Sequence, residues 1–421
     1  MNAAPDQRGF YYGWVIAGTA ALGIACSFSV LVVTITGIFA APLRHELGWT
    51  LQQVFLGPTV AGLSGVVVAP FIGALCDRFG ARRIVLVSFV IEVLLLASFR
   101  YLDAAILGYW IRYGALAVLC MGTTQVAFSR IISSWFNRRL GLAIGVALAG
   151  VGVGGFIWSL LLQKLIDLYG WRNAYSAMAL LIACITLPIL FLLLRDTPAS
   201  GSLYIDGEPP PAPSAAVSTP GVAAAGMTLR EAAATSHYRL MALTWFLMGL
   251  SMQGAQLHVI PLLLSRGDSA QHAAATQAMM LVTVILGRIS SGFLLDRFFA
   301  PRVAQGFILA PILGISALTL GASGTFAVLS AMCIGLAVGG ESDVIAYLVR
   351  RYFGLKQYSR IYGTFFSLFG AGSAIGPAAT AWGVSHTSGG YGTVLWVHVA
   401  VLIVTGLLLF GFPGYARLAR A

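Results

Sequence analysis

The stretch Gly73-Ala74-Leu75-Cys76-Asp77-Arg78-Phe79-Gly80-Ala81-Arg82-Arg83 returns later in the chain, altered but recognisable, as Gly292-Phe293-Leu294-Leu295-Asp296-Arg297-Phe298-Phe299-Ala300-Pro301-Arg302. Gly73, Asp77, Arg78 and Arg83 each find the same residue type 219 positions on, at Gly292, Asp296, Arg297 and Arg302. Each copy closes a long apolar run with an Asp-Arg pair. A charged phrase repeated at about half the chain length, after equivalent apolar segments, marks two related membrane halves.

Composition agrees with that reading. Hydrophobic residues make up 58% of the chain and charged residues only 9%, a balance that a soluble domain of 421 residues cannot bury. Apolar runs long enough to cross a bilayer fall at 12–40, 53–75, 84–102, 105–132, 140–163, 173–194, 238–264, 271–294, 303–322, 326–349, 361–385 and 391–413. With both termini on the cytoplasmic side, the inner segments carry seventeen lysines and arginines, among them Arg8, Arg417 and Arg420, and the outer segments five. The net charge of +11 therefore reports orientation in the membrane and not a nucleic-acid partner. The first span is too long for a removable signal peptide and is expected to stay as the first helix.

Between the sixth and seventh spans lies a polar stretch at 196–236 with the run Pro209-Pro210-Pro211-Ala212-Pro213 and an Ala/Ser/Gly-rich tract. Such composition cannot bury a core, so it reads as a cytoplasmic linker. The expected division is 1–195, linker 196–236, and 237–421. Within the linker, Thr228-Leu229-Arg230-Glu231 has the form of a helix start. The five cysteines are scattered without metal-ligand spacing, so neither a metal site nor a cofactor is expected.

The pattern Gly-x-x-x-Asp-Arg-x-Gly-x-Arg-Arg after the second span, weakened after the eighth where Phe299 replaces a glycine, resembles the loop motif of the major facilitator superfamily. A narrower resemblance rests on Trp135-Phe136-Asn137-Arg138-Arg139-Leu140-Gly141-Leu142-Ala143-Ile144-Gly145 followed by Ala149-Gly150-Val151-Gly152-Val153-Gly154-Gly155. This is similar to the monocarboxylate porters and their bacterial oxalate/formate-exchanger relatives, with Tyr12-Gly13-Trp14-Val15 as a fainter echo. The fifth span lacks the proline of drug–proton antiporters, and the second lacks the arginine of nitrate porters. The resemblance implies an all-α polytopic fold of twelve transmembrane helices in two six-helix bundles, with the substrate site at their interface. It also implies a gating role for Asp77, Arg78, Asp296 and Arg297 at the cytoplasmic helix ends.

Ionisable residues inside a membrane are costly, by at least about 2.5–3.5 kcal/mol each, and are functional candidates for that reason. Arg288 stands eight residues before Asp296, hence about 12 Å in from the end of the eighth span, near the midplane of the bilayer. It also matches the arginine with which the monocarboxylate and oxalate porters hold a carboxylate, a task that suits the planar guanidinium fork. A lasting salt bridge to Glu341 or Asp343 is the structural alternative, and the same arginine can alternate between the two. Glu341 and Asp343 lie at the same depth, about 13 and 10 Å before Arg350. They point about 200° apart, with Asp343 on the face of Gly340 and Tyr347. A buried carboxyl that loses its arginine to substrate takes up a proton, which makes Asp343, with Glu341 second, the candidate for proton coupling. The monocarboxylate porters place an aspartate four residues before the arginine; here that residue is Val284, so coupling either comes from the tenth span or is absent.

Arg112, Gln253 and Tyr347 complete the candidate substrate-binding set, Arg112 being equally a structural residue. Arg130 reads as an interface anchor, Glu92 as a buried interhelix hydrogen bond with a second proton site as its alternative, and His258 as a packed histidine. The expectation is a secondary transporter, not an enzyme, carrying a small organic anion, foremost a monocarboxylate, by proton symport with alternating access. Dicarboxylate/monocarboxylate exchange is the nearest alternative, and a membrane sensor on the same scaffold the alternative from another class. Its partners would be the anion, protons and the lipid bilayer. It is expected to sit as a monomer in the bacterial cytoplasmic membrane.

Overall fold

The computed structural model describes residues 11–201, 203–207 and 226–415. The 209–213 proline run and Arg8, Arg417 and Arg420 lie outside the described residues. The chain divides into two compact units, one of residues 1–226 with 354–360, the other of 227–353 with 361–421.

In the first unit, α1 (Gly13–Ala25) and α2 (Phe28–Leu47) form one interrupted span, followed by α3 (Leu51–Phe79) and α4 (Ala81–Ser98). Next come α5 (Ile106–Leu119), α6 (Gln125–Trp135), the long α7 (Leu140–Leu181), a π turn at Ile182–Thr186 and α8 (Leu187–Leu193). The second unit holds the short α9 (Leu229–Ala234), then α10 (Ser236–Gln256), α11 (Val259–Ser265), α12 (Ala270–Arg297) and α13 (Ala300–Thr319). It continues with α14 (Gly324–Phe353), α15 (Tyr358–His386), whose first turn belongs to the first unit, and α16 (Gly390–Leu408). The described residues form no β-strand.

Nine helical segments among the described residues are long and apolar enough to cross a membrane. One of them, Leu140–Leu193, runs for 54 residues and holds two crossings, because Gly170 departs from helical geometry at φ 75° and ψ 161°. The α5–α6 pair and the 29-residue α15 bring the spans to twelve. Large apolar side chains such as Phe71, Leu94, Phe156 and Leu192 stand exposed on these helices, and a helix is a form in which a segment can bond its own backbone in lipid.

The spans read as 12–40 and 105–132 are not continuous helices. The first breaks where Ser27 leaves the α region at ψ 151° and its hydroxyl donates to the Ile24 carbonyl at 2.8 Å. The second breaks at a 3-10 turn, Met121–Thr123, after which Thr124 is extended at ψ 174°. Both interruptions are made by small hydroxyl side chains that bond back to the backbone and compete with helix continuation. The Thr228 start is present, with the reciprocal bonds of a capping box between Thr228 and Glu231 before α9.

The two copies of the repeated phrase turn differently. Gly80 joins α3 to α4 at φ 89°, a conformation that costs a side-chain-bearing residue. Phe299, the position matching Gly80, sits at φ −63°, so no glycine is needed there.

Candidate functional site: an arginine and two carboxyls on two glycine-crossed helices

Helices α12 and α14 pack backbone against backbone. A Cβ on Gly335 would run into the Met280 carbonyl, one on Gly287 into the Leu336 carbonyl, and one on Gly339 into the Val284 carbonyl. Small residues at such a crossing are how membrane helices gain contact where lipid gives no hydrophobic drive. The crossing sets the next side chains. Arg288 follows Gly287, and Asp343 stands one turn beyond Gly339, so their side chains meet.

Arg288 Nη1 lies 3.7 Å from Asp343 Oδ1. Asp343 is wholly inaccessible, while Arg288 and Glu341 keep 9% and 5% of their surface. Ser291, one turn past Arg288, places its hydroxyl 2.6 Å from Asp343 Oδ2 and 2.9 Å from the Arg288 carbonyl; its one hydrogen goes to the shorter, charged contact. The ion pair itself is too long for a hydrogen bond. Arg288 Nη1, Asp343 Oδ1 and Glu341 Oε2 are all buried without a hydrogen-bond partner. Chemically, that is a donor fork with capacity left for an anion and carboxyl oxygens with capacity left for a proton.

Of the sequence-predicted residues, Arg288 and Asp343 are thus in contact and Glu341 is buried two residues away on the same helix. Residues Glu341 to Val349 are buried on every side of α14, so the cavity face and packing face expected there are not distinguished by exposure. Tyr347 turns to Arg351, whose Nη2 donates to its hydroxyl at 3.2 Å. Gln253 is half-buried on α10. Arg112 belongs to the first unit, and its donors go to Ser98 Oγ at 3.2 Å and the Gly108 carbonyl at 2.9 Å, a structural use.

The motif residues of the first copy form a second polar cluster, inside the first unit. The Asp77 carboxylate accepts from the amides of Ser359 at 3.1 Å and Arg360 at 2.9 Å, the first turn of α15. A carboxylate is favoured at a helix N-terminus. Arg130 stands 3.4 Å from Asp77 and donates to the Leu355 carbonyl. Gly73 lets α3 approach this segment, since a Cβ there would meet the Ser359 backbone. Arg78 lies over the Phe79 ring and, in the second copy, Arg297, the last residue of α12, lies 3.8 Å over Phe293.

Sequence reasoning did not assign Ser291 or Arg130 to these clusters. Ser291 had a usable signal, its position three residues after Arg288 on one helical face. Arg130 had none, because its partners are 53 and 225 positions away.

The sequence profile of the Major Facilitator Superfamily matches residues 21–346. Monocarboxylate transporter 11 of Mus musculus is 25% identical over 98% of this chain and 89% of its own length. The uncharacterized MFS-type transporter YhjX of Escherichia coli K12 is 26% identical over 83% of this chain and 84% of its own. The crystal structure of the human organic anion transporter MFSD10 superposes with a TM-score of 0.70, covering 96% of this chain and all of that one at 15% identity, a likeness of fold alone.

Proposed function

Since this chain belongs to the Major Facilitator Superfamily, a family of membrane transporters, we propose that it carries a small organic anion, foremost a monocarboxylate, together with a proton. Arg288 takes the substrate carboxylate on its guanidinium fork, and Asp343 takes the proton when the arginine leaves it. Glu341 is the second carboxyl within reach of that exchange. The observation that carries this reading is the unspent hydrogen-bonding capacity of a buried Arg288 beside an unspent carboxyl oxygen of Asp343. The names of the relatives point the same way on substrate.

In this scheme Asp77 works as a catch. Held to the first turn of α15 and to Arg130, it favours one state of an alternating-access cycle, and its release favours the other. The excess of inner basic residues supports cytoplasmic termini.

One monoanion moving with one proton transfers no net charge. Accumulation should then follow the pH step, worth about 1.4 kcal/mol per unit, and ignore the membrane potential, worth about 2.3 kcal/mol per charge per 100 mV. Proteoliposomes given labelled pyruvate, lactate, formate or oxalate, with pH gradients and with valinomycin-imposed potentials, test this directly. Uptake that responds to potential and not to pH would refute symport, and uptake that requires a second internal carboxylate would assign exchange.

A further inference from the structure

Three spans of the first unit are interrupted, and the interruptions meet around a carboxyl that the anion site does not use. They are the α1–α2 break at Cys26–Ser27, the α5–α6 break at Cys120–Thr124, and the π turn leading from α7 into α8. They are bonded to one another. The Phe28 amide, first of α2, donates to Thr123 Oγ1 at 3.2 Å, and the Thr123 hydroxyl donates to the Cys120 carbonyl at 2.9 Å. Thr186, in the π turn, donates to Cys26 Sγ at 3.3 Å. Helix α4 runs past them unbroken: a Cβ on Gly122 would stand 2.5 Å from Ser88 Oγ, and one turn beyond Ser88 is Glu92.

Glu92 has no accessible surface, and neither carboxyl oxygen has a hydrogen-bond partner. The Thr123 hydroxyl faces Glu92, but its hydrogen is committed to the Cys120 carbonyl and its oxygen already accepts from the Phe28 amide. The charged groups on the helices around α4 lie at its two ends. Asp77, Arg78 and Arg130 are toward Ala81; Arg112 and Arg172 are toward Ser98, with Lys164 and Asp167 shortly before Arg172 on α7, and there Tyr109, Tyr113 and Tyr175 cluster with Phe99. The titratable groups set against Glu92 are the thiols of Cys26 and Cys120.

An ionised carboxylate without counter-charge or hydrogen bond is not sustained in such a place. A metal ion would need several more oxygen ligands, and the neighbours are thiols and hydroxyls already bonded. A proton needs one carboxyl oxygen. Interrupted membrane helices supply the remaining element, because they accompany coupling-ion sites and because π turns mark places where a helix adjusts.

We propose that Glu92 is a second proton-binding site of this transporter, carried within the first unit and separate from the Arg288–Asp343 cluster. It holds its proton as a neutral acid in this arrangement and gives it to water when the helix breaks shift, an ionisation that leaves every other bond intact. The site adds to the proton-coupled reading above, and its test needs no substrate, so failure of the anion assignment leaves it standing.

Infrared difference spectra of the full chain in liposomes read protonated carboxylic acids by their C=O stretch. Glu92→Gln should remove one such band, and Asp343→Asn should leave it. In wild type that band should shift in D2O and decline as the pH is raised from mildly acidic to alkaline. No band lost in Glu92→Gln overturns the proposal. A band that neither exchanges in D2O nor titrates marks a static structural acid and also overturns it. A band abolished by NaCl but not KCl at fixed pH reassigns the site to sodium. Should Glu92→Gln not fold, labelling of wild type with a hydrophobic carbodiimide, which attacks protonated carboxyls, decides the matter: an adduct on the Glu92 peptide that forms at low and not at high pH supports it, and its absence overturns it.

Discussion

Asp343→Asn distinguishes a carboxylate that competes with substrate for Arg288 from one that helps to bind it. At 3.7 Å and an effective dielectric constant of about 20, the pair attract by about 4–5 kcal/mol. That matches the about 3–5 kcal/mol lost when one partner of a buried pair is removed. Asparagine keeps the shape, and the Ser291 hydroxyl can still donate to its carbonyl. Without ligand the variant should therefore unfold at a lower temperature, with Arg288 left uncompensated. A substrate carboxylate no longer has to draw the guanidinium away from Asp343. If a third of the attraction is returned on binding, about 1.4 kcal/mol, the dissociation constant falls about tenfold. Calorimetry of the purified protein with pyruvate should show that tightening, and the ligand-induced rise in unfolding temperature should exceed that of wild type. In proteoliposomes, exchange between equal pyruvate pools should persist while accumulation driven by a pH gradient is lost. Binding that is unchanged, or tenfold weaker, would refute competition for Arg288.

Arg288→Lys keeps the charge but loses the planar fork, so carboxylate binding should weaken by about 1.5–3 kcal/mol; undiminished pyruvate affinity in the same calorimetric assay would remove the arginine from the site. Asp77→Asn weakens the acceptor of the Ser359 and Arg360 amides and the partner of Arg130, and should slow turnover several-fold while affinity stays within a few fold. Equal losses in both, measured on well-folded protein, would contradict the catch. Gly339→Ala puts a Cβ 2.9 Å from the Arg288 amide and closer still to the Val284 carbonyl. It should lower thermal stability by about 1–3 kcal/mol, whereas Gly306→Ala, with nothing within 4 Å, should not.

Much of this molecule was legible because membranes simplify the reading. The repeated Asp-Arg phrase disclosed the duplication, and counting residues from Asp296 and Arg350 placed Arg288 and Asp343 at one depth before any contact was known. The helix breaks were not legible. Hydropathy runs on through Cys26–Ser27 and Cys120–Thr124, because cysteine, serine and threonine are small enough to lie within an apolar run, while the backbone turns on a hydroxyl bonding back to a carbonyl. Gly170 was hidden for the opposite reason: one left-handed residue joins two spans whose sequences read as separate. The Asp77 cluster was half legible, since the motif pointed to Asp77 but its partners, Arg130 and the Ser359 and Arg360 amides, lie far along the chain with no shared sequence signature.

The glycine crossing of α12 and α14 also bears on the order of events at the proposed anion site. With Gly287 against the Leu336 carbonyl and Gly339 against Val284, neither helix can slide past the other without backbone collisions. Arg288 and Asp343 therefore cannot be parted by moving their helices. In the proposed cycle the arginine changes partners by rotating its own side chain, a local rearrangement that needs no domain to rock, whereas domain rocking takes about microseconds to milliseconds. In the proposed symport cycle, substrate and proton would settle their occupancy within the second unit, ahead of the slow step.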